Sequence, residues 1–463
     1  MNGGIFMKKK MIKRPMMFLL GVSMVVSILS GCGSSDSDKK PTSSTPKELS
    51  GTIVLGGWPA GDEAFKSIQK GFETKYPNVK IKYQFASTAD FTQSFQTSLA
   101  AGSGAPDVAM VEGANMGKYK EGSGLENLYD SPYDAKTMEN DFVKMKWDLA
   151  ISADGKRISG IPWDIGPTTY FYRKDIFKEV GLPSEPDDVY KQMSTYDGIL
   201  EVAKKVNIKG KRWLLPNALY LYTWNFINRD YYNENLELQL DRKGAIEGLN
   251  AAIKMRQNGW DAKTADMWTN EANAGLANGT ILSVAAGAWY GGFLKSWVSK
   301  DNSGKWGVTR LPAGIADSNW GGSYLTVPTQ SKNKEAAWAF IKYALTDTNS
   351  QNTMFKAVDY FPAFTPAWKD TAIYEAADPY FDGQKTKSLW VDIAKNIKPV
   401  FSTLMDGDTE TAITTTVNTG LNENKSATDI VNKVKKAVSD ATSEDREKNI
   451  DILKDAGKWK GSN

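Results

Sequence analysis

The sequence predicts an α/β chain of two lobes, and three observations carry that prediction. Residues 52–111 read as strand, helix, strand, helix, strand, the βαβαβ signature of a doubly wound sheet. Roughly 410 residues follow the N-terminal leader and a polar segment, more than one typical domain holds. Patterning turns helical from Asp175 to Asn278 and strands resume after Thr280. A sheet domain interrupted by a helical one, with several crossings between them, accounts for that order.

Thr52 to Leu55 is a short apolar strand. Phe65, Ile68 and Phe72 at i, i+3 and i+7 mark a helix that Pro77 closes. Val79-Lys80-Ile81-Lys82-Tyr83 alternates as a strand, and Phe91, Phe95 and Leu99 mark a helix ended by Gly102 and Gly104. Asp107 to Val111 is the third strand. Right-handed crossovers bring the strand ends, and with them the ligand crevice, to one edge. Strand patterning returns at Ile161-Pro162-Trp163 and Thr168 to Tyr172, then at Ile281 to Ala285 and Ser323 to Val327. Helices are predicted around Val202 to Val206, Leu249 to Met255, Trp289 to Val298 and Ala336 to Ala344, and over the last fifty residues, where Ile430, Val431, Val434 and Val438 face inward. No internal repeat is present.

The 463 residues contain no histidine and one cysteine, Cys32. Without histidine the commonest metal ligand and the usual neutral-pH base are missing, so Ser-His-Asp and Cys-His catalysis are excluded. Residues 1–31 hold Lys8, Lys9, Lys10, Lys13 and Arg14 and no acid, followed by an uncharged stretch from Pro15 to Leu29. A basic segment, an apolar segment of about 15 residues, and small residues before a cut make a secretory leader, shorter than the ~20 residues of a spanning helix. Met1, Met7 and Met11 are alternative starts. Beyond the leader 52 basic residues face 54 acidic ones, and no basic excess points to nucleic acid. Leu29-Ser30-Gly31-Cys32 resembles the lipobox of bacterial lipoproteins, which implies cleavage before Cys32 and a lipid on its thiol. Residues 33–50 (GSSDSDKKPTSSTPKELS) are too polar to order themselves and read as a tether.

The chain carries 15 Trp, 19 Tyr and 18 Phe. Many stand outside clean helix faces: Trp58, Trp163, Trp224, Trp289-Tyr290, Trp320, Tyr324, Tyr360-Phe361 and Trp368. An aromatic face suits the C–H face of a pyranose, and carboxylates and amides suit its hydroxyl rim. Any one large aromatic is more often core; the set, beside turns such as Gly287-Ala288-Trp289-Tyr290-Gly291-Gly292, makes a stacking pocket where glycines admit a ligand to the backbone. Asp62, Glu112, Asp164 and Asp359 are the carboxylates beside these turns, with Asp62 placed as a helix cap. Glu112 and Asp164 form the pair a glycoside hydrolase or lyase would use. A peptide binder would want a charged clamp and a polyamine binder several acids; the aromatic turns favour sugar over both. No glycine-rich phosphate cradle is present. Asp406-Gly407-Asp408, a fragment of a calcium loop, reads as a solvated turn. No cofactor and no metal are expected.

The ordered segments resemble bacterial extracellular solute-binding proteins of the carbohydrate type, which serve ABC importers. They are Trp58; Ala105-Pro106-Asp107-Val108; Gly160-Ile161-Pro162-Trp163-Asp164 leading to Tyr172-Arg173-Lys174-Asp175-Ile176-Phe177 and Gly181-Leu182-Pro183; Leu276-Ala277-Asn278-Gly279 with Gly287-Ala288-Trp289; Gly321-Gly322-Ser323 with Val327-Pro328; and Lys334-Glu335-Ala336-Ala337-Trp338-Ala339-Phe340-Ile341. The resemblance implies a two-lobed periplasmic-binding-protein-like fold with a hinge, a central cleft and closure on the sugar. It makes Trp289 a stacking residue, Trp163 and Asp164 hinge-side contacts, Gly322 and Ser323 close approaches, and Tyr360 and Phe361 an aromatic offering. Tyr290 joins them as the neighbour of Trp289, and Trp58, Glu112, Trp224 and Trp320 by extrapolation. Val111 and Ala114 stand where the maltose-binding type has an aromatic and an acid, which argues against maltodextrin. The expected layout is leader 1–31, lipidated Cys32 and tether to 50, one lobe from 51–161 plus 319–346, the other from 162–318 plus 347–463. The expected protein is a non-catalytic monomer on the outer face of a Gram-positive membrane, with an oligosaccharide ligand and an ABC permease as partners.

Overall fold

A computed structural model of the chain describes residues 48–461. The leader, Cys32 and the tether as far as Lys47 lie outside the described residues. Glu48 onward makes a single compact unit, and two separate sheets organise it.

The first sheet has five strands in the order β2-β1-β3-β8-β4. They are β1 (Gly51–Gly57), β2 (Val79–Phe85), β3 (Val108–Glu112), β4 (Ile161–Pro162) and β8 (Ser323–Thr326). β1 runs parallel to β2 and β3, whereas β8 returns antiparallel to both β3 and β4. The second sheet is antiparallel, with β5 (Thr168–Arg173) between β6 (Ser283–Gly287) and β7 (Trp306–Arg310).

Helix α1 (Pro59–Lys75) buries Phe65, Ile68 and Phe72, the predicted face. Its N-cap is Trp58, which makes no side-chain cap bond, and Pro59 opens the first turn. Asp62 therefore is not the cap expected of it. It sits inside the first turn and pairs with Lys66 at 2.7 Å, four residues on. Helix α2 (Thr88–Ala101) is capped by Ser87, which accepts from the Asp90 amide, and stops at Gly102 in left-handed conformation. The helices Lys334–Thr346 and Thr348–Val358 both pack against α1, so the chain to Val358 stays beside the first sheet. The last two helices, Asp406–Asn422 and Ala427–Asp455, pack on each other. Ile430, Val431, Val434 and Val438 face inward there as the spacing requires.

A second correction falls on Asp406-Gly407-Asp408. It opens a helix instead of forming a solvated turn, and Asp406 is buried, accepting from the Thr403 amide at 3.0 Å and the Thr403 hydroxyl at 2.6 Å. Burial pushes its carboxyl up to about 6. No described helix is long and apolar enough to cross a membrane.

Candidate functional site

Three stretches of chain pass side by side between the two sheets: residues 163–168, 318–323 and 360–363. Trp163 N–H donates to Ser323 O at 2.9 Å, Ala363 N–H to Trp163 O at 3.0 Å, Ile165 N–H to Phe361 O at 2.8 Å, and Trp320 N–H to Gly166 O at 2.8 Å. These ladders make a narrow connector on which the sheets can turn. Gly322 has φ +77°, and a Cβ there would stand 2.3 Å from Asp164 O, so only glycine fits.

Asp164 anchors the connector. It is 1% exposed, and its Oδ1 accepts from the Ser323 amide at 2.8 Å and from the Ser323 hydroxyl. Burial raises its carboxyl to about 6, against the pull of Lys146 and the Ser323 bonds. Lys146 is itself fully buried and donates to Gly321 O at 2.9 Å. Its ammonium lies 4.4 Å from the centre of the Tyr324 ring. Burial lowers its pKa to about 8, with Asp164 and Glu112 acting the other way.

Glu112 ends β3 opposite Ser323 and is half-buried. Its carboxylate has no hydrogen-bond or ion-pair partner among the described residues, yet its charge is felt by Lys146, Arg229 and Tyr360. It therefore faces the gap between the sheets. On the far side Arg229 pairs with Glu410 at 2.5 Å.

A cavity of about 160 Å³ opens beside the connector, lined by Trp224, Tyr231, Trp268, Trp320, Asp266 and Glu410 among others. Its aromatic rim continues outward. The Trp289 indole N–H donates to Trp320 O at 3.0 Å. Trp268 stacks on Trp289 with ring centres 5.7 Å apart at 21°, and Phe293 lies 5.5 Å from Trp289. Trp268 is 45% exposed. A face of rings beside two carboxylates can pack against C–H groups and accept hydrogen bonds from hydroxyls.

The expected site residues therefore fall into distinct places. Trp224 and Trp320 line the cavity and Trp289 backs it. Glu112 faces the gap. Tyr360 is half-buried, its ring 5.2 Å from Trp163 and its hydroxyl within hydrogen-bonding reach of Trp58, which is itself buried. Trp163, 1% exposed, packs on Phe65 at 5.1 Å. Asp164, Gly322 and Ser323 build the connector. Phe361 is fully buried against Phe355, Trp368 and Trp390. Tyr290 is fully buried against Phe171, with its hydroxyl unpartnered. The space at Gly287 is taken by the chain itself: a Cβ there would lie 2.3 Å from the Trp289 indole nitrogen. Among the described residues no cluster of three or more acidic, histidine or cysteine side chains could hold a metal ion.

Trp268, Lys146, Arg229 and Glu410 were missed from sequence. Only Trp268 carried a readable signal. It stands in Asp266-Met267-Trp268-Thr269, just ahead of a helix capped by Thr269, in a stretch without apolar periodicity.

A family model described as bacterial extracellular solute-binding protein matches residues 56–351. The arabinooligosaccharide-binding protein of Bacillus subtilis is 25% identical over 408 residues, covering 84% of this chain and 90% of that protein. The lactose-binding protein of Rhizobium radiobacter is 26% identical over 377 residues, covering 75% and 83%. Among solved structures, an extracellular solute-binding protein of family 1 superposes with a TM-score of 0.73 at 23% identity, covering 84% of this chain and all but 1% of the other, 99%. The binding protein of B. animalis subsp. lactis Bl-04 in complex with beta-1,6-galactobiose gives 0.69 at 22%, covering 85% and 98%. These two structures share the fold. The chain belongs to the bacterial extracellular solute-binding proteins.

Proposed function

We propose that this member of the family captures an oligosaccharide in the cleft between its two sheets and delivers it to an ABC importer by closing over it. The observation that carries the reading is the aromatic cavity bordered by Asp266 and Glu410, opening on a narrow connector. Relatives named for arabinooligosaccharide, lactose and diacetylchitobiose support the same ligand class. No catalytic step is needed. A ligand that touches both walls only when they meet favours the closed arrangement by its differential affinity.

In this reading Trp224, Trp268, Trp289 and Trp320 offer rings to the sugar, and Glu112 and Glu410 accept from its hydroxyls. Trp58 and Tyr360 form the floor. Trp163, Asp164, Gly322, Ser323, Tyr290 and Phe361 hold these groups in place from behind. The lobes are assigned as 51–161 plus 319–346 and 162–318 plus 347–463; the packing of the helix Thr348–Val358 on α1 favours carrying the first lobe on to Val358. The Leu29-Ser30-Gly31-Cys32 sequence supports a lipid on Cys32 that ties the protein to the outer face of a Gram-positive membrane.

Screening the purified protein against neutral and charged glycans on an array, followed by calorimetric titration of the best ligand, tests the function. Submicromolar to micromolar binding without turnover is expected; release of shortened products would make it a hydrolase or lyase, and binding of peptides or polyamines alone would place it with another solute class. For the anchor, Cys32→Ala is expected to move the protein from the detergent to the aqueous phase.

A further inference from the structure

We propose that the wide cavity at the far end of the cleft accepts the anionic unit of an acidic oligosaccharide, so that the ligand carries a carboxylate or sulfate at one end. The proposal rests on the saccharide reading above and narrows it.

The aromatic cavity adjoins two further spaces. It shares Ile227 with a narrow space beneath Lys146 and Arg229. That space in turn shares Gly117, Ser402 and Thr403 with a cavity of about 500 Å³, within the ~300–1,000 Å³ of small-molecule sites. The middle space, about 40 Å³, is a constriction between two wider cavities, and the chemistry changes from one cavity to the other. One end is walled by tryptophans. At the other end Phe401 is the single aromatic in the lining, and three lysines, Lys120, Lys458 and Lys460, border the space.

The acids in that lining are already engaged. Glu234 pairs with Lys460, Asp148 pairs with Lys144 at 2.8 Å, and Glu121 accepts the Ala153 amide at 2.9 Å. Two of the lysines are not matched by a carboxylate. Lys120 Nζ donates only to the Ser402 hydroxyl, at 3.0 Å, and the Lys458 ammonium has no partner among the described residues. Burial lowers the Lys120 pKa, Glu121 and Asp406 oppose the shift, and the positive charge of Lys458 adds to it. Two ammonium groups therefore border one half-enclosed space and repel each other. An anion between them removes that repulsion and gains two charge-assisted hydrogen bonds.

The two lysines also come from opposite walls. Lys120 is on α3 (Met116–Lys120), behind β3 of the first sheet, and Lys458 follows the long C-terminal helix. An anion held by both favours the closed arrangement, so the charged end of the ligand acts as a latch while its neutral part lies on the tryptophans.

The test uses the full mature chain and matched glycans: neutral galacto-, arabino- and xylo-oligosaccharides beside their glucuronate-bearing, galacturonate-bearing and sulfated counterparts. The acidic member of a pair is expected to bind about 10- to 100-fold more tightly than the neutral one, with the advantage shrinking as salt rises. Lys458→Met and Lys120→Met should each collapse that ratio several-fold, and Lys458→Arg should restore most of it, with unliganded melting recorded as the folding control. Uronate and sulfate arms identify which anion the site takes. Equal affinity for neutral and acidic partners, or a ratio untouched in both methionine variants, overturns the inference and leaves the saccharide reading standing. Binding of no glycan at all sinks both.

Discussion

The two walls of the cleft keep their aromatic residues in opposite ways. On the first wall Trp58 and Trp163 are 7% and 1% exposed, locked onto Phe65 and Tyr360, and what faces the gap is polar: Glu112 and the buried Lys146 behind it. On the second wall Trp268 is 45% exposed and stacked on a half-buried Trp289, beside a cavity that Trp224 and Trp320 line. Trp224 is itself 2% exposed, so the contrast rests on Trp268, Trp289 and Trp320: the same residue type is structural on one side and available on the other. The difference implies an order of events. Rings need no partner wall to hold a sugar, because stacking is short-range and apolar. A lone carboxylate contributes most once water is excluded, so the first wall acts on closure.

The strongest way to break this contrast is Trp163→Ala. A fully buried tryptophan packed on Phe65 and Tyr360 leaves a large cavity when removed, and a loss of about 3–5 kcal/mol in unfolding free energy is expected. Urea unfolding without ligand measures it. A loss below about 1 kcal/mol would show that this wall tolerates an open face and that Trp163 is free to serve the ligand directly.

A second test follows the connector through pH. Asp164 titrates at about 6 in the folded chain, above its ordinary 3.8. A raised carboxyl pKa means that the folded state holds the proton more tightly. The associated stability is therefore complete below about pH 4 and is lost as pH rises to about 6, an effect of roughly 2–3 kcal/mol. Asp406 titrates at about 6 for the same reason, burial, and moves in the same direction. Asp164→Asn does not titrate, so its stability relative to wild type should climb between pH 4 and pH 6 and stay level above. A relative stability that is flat across this window would mean that Asp164 is solvated and the connector loose.

Much of this architecture was legible in the sequence, and the exceptions share a cause. The βαβαβ start was readable because Phe65, Ile68 and Phe72, and then Val79 to Tyr83, keep periods of 3.6 and 2 without interruption. Strand β7 was not, because Trp306 to Thr309 are buried on both faces and show no alternation. Asp62 and Asp406 were misplaced because local acid-and-glycine patterns describe a turn or a cap equally well, and tertiary packing decides. In the site, the tryptophans announced themselves by type. Their burial did not, since Trp163 and Trp289 both follow short apolar runs and differ only in what folds over them. Lys146, Arg229 and Glu410 lie more than a hundred residues from at least one partner they face, and no local pattern encodes that meeting.

Trp268→Ala sharpens the contrast from the second wall. Its ring is half-exposed, so unliganded melting should change little, while oligosaccharide affinity should fall by about 1–3 kcal/mol, or roughly 5- to 150-fold. Trp289→Ala should lose comparable affinity and some stability as well, because its indole also holds the Trp320 carbonyl. Equal melting losses in both variants, with affinity intact, would make the rings part of the core and remove the asymmetry between the walls.

The smallest effect belongs to Glu112→Gln, and it bears most directly on the order of events. Glu112 has no hydrogen-bond or ion-pair partner among the described residues, so the substitution costs the empty protein only the attraction its charge exerts on Lys146 and Arg229; a neutral amide still accepts from a sugar hydroxyl, less strongly than a carboxylate. An affinity loss of about 1 kcal/mol, near five-fold, is expected. If Glu112 engages after the rings have taken the sugar, association should be unchanged and the whole loss should appear in the dissociation rate, which stopped-flow tryptophan fluorescence resolves. A slower association with an unaltered dissociation rate would place the polar wall first and reverse the sequence that the two walls imply.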